Sequence, residues 1–585
     1  MNIRFPTPLV ALSLCLGLVC SITAEAAAPV KRVRGEAART PAKTAAPVWK
    51  ASQYPAASTA RMQFRDLPAE RILELQNYNQ RNGSKRVQIG IGRTAAADAR
   101  TALPALRWQA VAGGSVARIE VRSPDALGLR VGLRLESLDP RAQLRFAGSD
   151  QPMHVVNAIN ASDALRIVDG NRVFWTPSTD GEAQIIEVFL PAGADTRAVK
   201  LQVPQLSHQV TNSRNNFELT EGLKAAGACN INTTCRDGTL GQHYINATNA
   251  VARMGFVSGG NNFLCTGTLL ADTVSATQIP YFYSAHHCIS NQTVANTLET
   301  LWNYESTTCS PNTPATATVL SGGATYLYSD DFTDALLLRL NAAPPVGAFF
   351  AGWDAMPVAA SAGVTAIHHP LGDLMKSSLG NQVSTSSSSV FVGWTSGTTE
   401  DGSSGSGLFT SDANGYYLRG GLEDGSASCA NTGNTSNLAN RDYYSRLDLV
   451  YPSISQYLAP AVVTFGPTHD NTGAWYPLAE SGWGLTFSYF PNPNKALFGL
   501  MFVYSTTGAA KWYEVDGTWT ANDVHSGTVY LYTGPNWSTS FNPAQVASTP
   551  VGTYTLTFTS INSATITYTI EGVSRTVVVT RMGSS

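Results

Sequence analysis

The stretch 400-EDGSSGSGLFT-410 decides how the rest of this chain is read. By composition a GSSGSG string is first of all a flexible linker. The apolar pair Leu408-Phe409 follows at once, however, which a linker does not require. The other reading is a loop that holds a reactive hydroxyl, that of Ser404, beside backbone N–H donors that its glycines leave accessible. A serine hydroxyl is a poor nucleophile at neutral pH without an adjacent base, so the choice rests on what stands upstream.

Upstream, the apolar stretch DALLLRL begins at Asp334, and YFYSAHHC ends in His287-Cys288. His, Asp, Ser is one of the linear orders in which a nucleophilic triad occurs. Imidazole suits the base because its pKa lies near working pH. A buried carboxylate would fix its tautomer and stabilise the imidazolium. The run SDDFTDALLLRL offers Asp331 as well as Asp334. Counting back from the apolar strand favours Asp334, and the ordinary state of Asp331 is a solvated turn carboxylate. The amides of Gly402 and Ser404 are the candidates for holding a developing oxyanion.

The compartment follows from the first residues and the cysteines. Arg4, an apolar run from Leu9 to Ile22, and Ala24-Glu25-Ala26 read as a secretory signal peptide over residues 1–26. Neither Cys15 nor Cys20 has the small residue before it that a lipid anchor needs. No later apolar run reaches about 18 residues, so no integral membrane segment is expected. Cys229, Cys235, Cys265, Cys288, Cys309 and Cys429 remain, an even number without a C-x-x-C pair. In an oxidising compartment they imply three disulfides rather than zinc. His368-His369 invites a metal reading, but neighbours on a strand point to opposite faces, so neither metal nor cofactor is expected. The net charge of -2 gives no electrostatic reason for nucleic acid or an anionic membrane as partner.

At 585 residues two to four domains are expected. The Ala-, Pro- and Arg-rich segment from 28 to about 60 reads as disordered. RVQIGIGR, ARIEVRS, LGLRVGLRL, AQLRFAG and AQIIEVFL alternate as strands, with one helix near FRDLPAERILELQNYNQ. YPSISQYLAP reads as a short terminal helix and residues 461–469 as a linker. Beyond them, ATITYTI and GTVYLYTG alternate as strands, among Trp475, Trp483, Trp512, Trp519 and Trp537. Those rings would form a small β core, or, where exposed, bind a polymer.

GACNINTTC, LCTGTLL, YFYSAHHC, LWNYESTTCSPNTP, DALLLRL, GVTAIHHP, TEDGSSGSGLF and RDYYSR together resemble the lysyl endopeptidase group of secreted bacterial serine proteases, over about 225–460. The resemblance implies an all-β chain. A chymotrypsin-like double β-barrel at 225–460 would be flanked by a β-rich propeptide, 27–224, and a C-terminal β domain of unknown role, 467–585. It implies His287, Asp334 and Ser404 as triad, and bridges Cys229–Cys429, Cys235–Cys309 and Cys265–Cys288. It makes Asp442, in Asp442-Tyr443-Tyr444-Ser445-Arg446, the carboxylate that selects lysine, since Thr398 stands where trypsin-like enzymes carry Asp. The competing role for Asp442 is an ion pair with Arg441 or Arg446. Trp394 matches a tryptophan lining the family's active site. The stacking histidine is replaced by Leu422-Glu423-Asp424-Gly425, whose carboxylates open the question of arginine as well. Ser403 replaces the aspartate of digestive relatives, so their N-terminal activation switch is absent. Lys224, just before Cys229, would let a lysine-specific enzyme release its own N-terminus at Ala225. The expected partners are protein or peptide substrates and the chain's own propeptide, with the protein a monomer. The rival reading is a secreted binding protein with an inactive protease domain, against which the intact triad argues.

Overall fold

VARMGFVS and NNFLCTGTLL form adjacent strands, Val251–Ser258 and Asn261–Leu270, because Gly259 and Gly260 both take positive φ in the two-residue turn between them. The computed structural model describes residues 30–39, 46–81, 85–213, 226–274, 277–460, 465–467, 469–491, 496–536, 538 and 540–583. The leader, Lys224, Ala225 and Trp537 lie outside them. Two compact units divide the chain, Met1–Pro460 and Ala461–Ser585.

In the first unit this hairpin extends through Tyr281–Ala285, Ala335–Leu340 and Ala324–Asp330 on one side and Glu299–Trp302 and Thr318–Leu320 on the other. A second sheet closes on itself. Gly363–His368, Lys376–Thr385, Ser389–Ser396, Asp442–Ser445, Gly415–Gly425 and Gly407–Asp412 pair in sequence, and the last pairs back with the first. Apolar residues from both sheets, among them Tyr283, Leu337, Ile367, Phe409 and Leu418, share one core with the helix Leu447–Leu458. Each such buried side chain contributes about 1.5–3 kcal/mol. The three expected disulfides, Cys229–Cys429, Cys235–Cys309 and Cys265–Cys288, are present.

Residues 60–209 form two further sheets, of six and five strands, around an aliphatic core that includes Ile119, Val131, Leu133, Phe146 and Ile186. The expected helix runs Ala69–Arg81, starting directly after Pro68. The expectation of disorder from 28 to about 60 is corrected for its described residues, 30–39 and 46–60. Arg32–Val33 adds to Gly352–Asp354 and Glu36–Ala37 to Phe349–Phe350, while Trp49 is buried with Nε1 donating to the Pro152 carbonyl. An edge strand offers unpaired backbone groups to any extended segment, and composition does not register that.

In the second unit eight antiparallel strands, from Gly473–Tyr476 to Val573–Arg581, form a closed barrel, with Trp475 opposite Arg581 at the seam. Trp475 is core and Trp483 and Trp519 pack against it, whereas Trp512 is 46% exposed and stacks on Tyr532. Of the four tryptophans described in this unit, three thus belong to or pack on the core and Trp512 is the exposed one.

Candidate active site

Strand pairing sets His287 beside Asp334. Tyr281–Ala285 runs antiparallel to Ala335–Leu340, with Ala285 opposite Ala335, so His287 and Asp334 leave neighbouring strand ends. His287 Nδ1 lies 2.6 Å from Asp334 Oδ2, and the His287 amide donates to Oδ1 at 2.8 Å. The Asp334 carbonyl accepts from the His286 amide at 2.9 Å. Asp334 has φ +54°, an uncommon conformation for a residue with a side chain, here fixed by hydrogen bonds at both its carbonyl and its carboxylate. Asp331 faces away. Its side chain is 97% exposed and approaches only His286 Nε2, at 3.6 Å.

The loop that carries Ser404 is anchored from below. Thr266 donates its amide to the Ser404 carbonyl, and the Gly405 amide donates to Leu422. Ser403 Oγ lies 2.8 Å from His368 Nδ1, whose Nε2 lies 3.2 Å from Ser378 Oγ. Burial pushes the His368 pKa well below the usual imidazole value and that of His369 down to about 3, so both rings are neutral. Gly402 has φ +90°, and a Cβ there would lie 2.8 Å from the His369 carbonyl. This turn aims the Gly402 and Ser404 amides at one point. Ser404 Oγ is buried and makes no hydrogen bond among the described residues.

Asp442 is fully buried on Asp442–Ser445. Its Oδ2 accepts from Trp394 Nε1 at 2.6 Å and Thr399 Oγ1 at 2.7 Å. Trp394 is therefore a support behind the carboxylate, itself fully buried. Neither arginine considered as a partner takes that role. Arg446 pairs with Asp448, and Arg441 donates to the Asn437 and Asn440 carbonyls. The partner is Lys85, whose Nζ lies 2.6 Å from Asp442 Oδ1. Nζ also reaches Thr399 Oγ1 at 2.5 Å, the Thr399 carbonyl at 3.1 Å and the Ala427 carbonyl at 3.3 Å. Gly425 keeps the pocket open, since a Cβ there would stand 2.1 Å from Asp442 Oδ1.

Sequence reasoning missed Lys85, Thr399, Gly425 and Glu400. Glu400 Oε2 accepts from the Gly227 amide at 3.0 Å and Asn230 Nδ2 at 2.8 Å, tying the start of the protease segment to the nucleophile loop. The one signal for Lys85 was a Lys85-Arg86 pair opening an alternating segment. Glu423 accepts from Ser389 Oγ at 2.7 Å, and burial raises its pKa and that of Asp424. Asp401, desolvated beside the pocket, is raised to about 6.

The N-terminal domain of lysyl endopeptidases matches residues 63–210 and their C-terminal domain residues 223–445. A lysyl endopeptidase of Pseudomonas aeruginosa is 35% identical over 423 residues, covering 69% of this chain and 88% of that protein. Two solved structures align at 13% identity. The scabies mite inactivated protease paralogue S-I1 does so with a TM-score of 0.27, over 36% of this chain and 95% of its own. The thermostable serine protease AL20 of an extremophilic microorganism does so at 0.26, over 37% and 99%. The closed six-stranded ring and its partner sheet fit the all-β fold expected, and the class is serine endopeptidase. The chain belongs to the lysyl endopeptidase family.

Proposed function

We propose that the protein is a secreted endopeptidase that cuts on the carboxyl side of lysine, made as a precursor from which residues 27–224 are removed. The buried Asp442 carboxylate, holding a lysine ammonium at 2.6 Å, carries this reading. Desolvating a carboxylate costs several kcal/mol unless a cation pairs with it, so such a pocket discriminates strongly for charge. The remaining polar groups favour lysine over arginine. Oδ2 is already taken by Trp394 and Thr399, leaving one oxygen for a point-like ammonium rather than two for a planar guanidinium fork. Glu423, engaged with Ser389, does not add a second carboxylate to the Lys85 ammonium. The leader and three disulfides support export.

In the proposed reaction His287 takes the Ser404 proton as Oγ attacks the carbonyl carbon after the bound lysine. Asp334, held to Nδ1, stabilises the imidazolium. The Gly402 and Ser404 amides receive the developing oxyanion, worth about 2.7–4 kcal/mol per donor in such sites. His287 then returns the proton to the leaving amine, and water releases the acyl group by the same route.

The test uses enzyme freed of its N-terminal region and matched peptides with Lys, Arg, Glu or Phe before the reporter. Lys-over-Arg turnover that vanishes in Ser404→Ala is the expected result. Equal Lys and Arg turnover would replace lysine specificity by a mixed one, and no turnover would favour the binding-protein reading.

A further inference from the structure

Lys85 does more than fill the pocket. Its carbonyl oxygen accepts from the Gly402 amide at 2.5 Å and from the Ser404 amide at 3.3 Å. One residue thus presents its ammonium to the specificity carboxylate and its carbonyl to the paired amides beside Ser404, as a bound substrate would. The chain beyond it also lies as a substrate. Val87–Gln88 runs antiparallel to the edge of Asn261–Leu270, with Val87 opposite Leu264 and Gln88 opposite Phe263. Between them Arg86 Nη1 donates to the His287 carbonyl and Nη2 to Tyr78 Oη, both at 2.7 Å, and the guanidinium lies 4.4 Å over the Phe263 ring.

The two sides of the Lys85–Arg86 bond are clasped independently of that bond. Asn79, on the helix Ala69–Arg81, donates Nδ2 to the Gln88 carbonyl at 2.9 Å and accepts the Gln88 amide on Oδ1 at 2.8 Å. Ile72 and Leu75 of the helix share a buried cluster with Val87, Ile89 and Leu264. Cutting the bond would therefore leave both new ends held where they were.

We propose that the Lys85–Arg86 bond is the reactive bond of an inhibitor loop built into the N-terminal region, an inference that rests on the lysine-specific reading above. Ser404 Oγ bonds to the Lys85 carbonyl carbon and the bond to the Arg86 nitrogen breaks. The hydroxyl proton passes through His287 to the Arg86 amine. Water then yields the Lys85 carboxylate and restores Ser404. Because the clasp keeps the Arg86 amine in place, the acyl intermediate re-forms the peptide bond in competition with hydrolysis. The cut is slow, and the nicked chain still blocks the site. Cleavage here marks the precursor without freeing it; activity appears only when the whole N-terminal region leaves.

The full chain tests this as wild type, Ser404→Ala, Lys85→Gln and Lys85→Arg, with N-terminal sequencing of fragments and turnover of a short lysyl-amide reporter before and after the fragments are separated. Wild type should yield a polypeptide beginning at Arg86 that co-purifies with the protease, with reporter turnover at least about tenfold below that of the separated enzyme, the equivalent of about 1.4 kcal/mol of occlusion. Ser404→Ala should give no Arg86 terminus. Lys85→Gln should give none either, and should turn over the reporter without separation; Lys85→Arg should fall between. A Lys85→Gln chain as latent as wild type overturns the proposal. If that variant does not accumulate, the wild-type digest decides, and absence of the Arg86 terminus overturns it. Failure of the separated wild-type enzyme to cut the lysyl reporter would instead remove the specificity on which the proposal stands.

Discussion

The chain carries two adjacent histidine pairs, and they behave differently. His286-His287 follows Tyr281–Ala285 and is part-exposed, with His287 bonded to the Asp334 carboxylate. His368-His369 closes Gly363–His368 and is fully buried, its ring nitrogens beside Ser403, Ser378 and the Asp373 carbonyl rather than a carboxylate. One pair has a carboxylate to stabilise an imidazolium, while burial strips the other of any basicity near neutral pH. On the proposed function, identical dipeptides therefore divide into a proton carrier and a brace for the loop that carries Ser404. The neighbours decide the role.

The sharpest way to break this comparison is His287→Ala in the separated enzyme. On the proposed mechanism kcat/KM for a lysyl substrate falls by about 10⁴–10⁶-fold while the unfolding temperature hardly moves. Asp334→Asn follows at about 10⁴-fold, because the wrong tautomer is then presented, and Asp331→Asn stays within about twofold. Comparable losses from both aspartate variants would undo the assignment of Asp334. Asp442→Asn should lower kcat/KM for lysine by about 10²–10³-fold and spare an apolar substrate, since it leaves a buried ammonium without its counter-charge.

On the other side of the comparison, His368→Ala should act mainly on stability. Stranding the Ser403 hydroxyl, while Ser378 keeps its bond to the Thr398 carbonyl, costs about 1–3 kcal/mol, read as a lowered unfolding temperature with turnover retained. If turnover collapses while stability holds, the brace is misassigned. The smallest effect concerns Asp401. Its carboxyl is raised to about 6 against an ordinary 3.8, so its stabilising share is full below about 3.8 and is lost as pH rises through about 6. Asp401→Asn should therefore raise the unfolding temperature above pH 6 and leave it unchanged near pH 4. A thermal-shift series across that range checks the sign.

The parts legible in the sequence were those written locally. Glycines around Ser404, an apolar strand starting at Asp334 and the Asp442-Tyr443 string all announce themselves within a few residues. Long strands such as Gly128–Ser137 and Ala183–Pro191 were readable from their alternating apolar residues, although both faces of each are mostly buried. Lys85 was not readable. It meets Asp442 from 357 positions away, and a lysine is among the last residues expected inside a protein. The Arg32–Val33 strand failed for a related reason: its partners are backbone groups of Gly352–Asp354, and its own residues look like those of a disordered tail. What local chemistry cannot encode is which distant surface is waiting for a segment.

Cys229–Cys429 gives the molecule a sensitivity of another kind. Cys429 sits two residues beyond Ala427, whose carbonyl accepts from Lys85 Nζ, and Cys229 sits two beyond Gly227, which Glu400 holds. Cys265–Cys288, by contrast, sits beside His287 and is almost wholly buried. A thiol in the medium meets these two bonds unequally. The outer one opens first, loosening the pocket wall and the first residues of the protease segment together, while the inner one still holds His287. On the proposed function, mild reduction would thus blur the choice of side chain before it slows the chemistry.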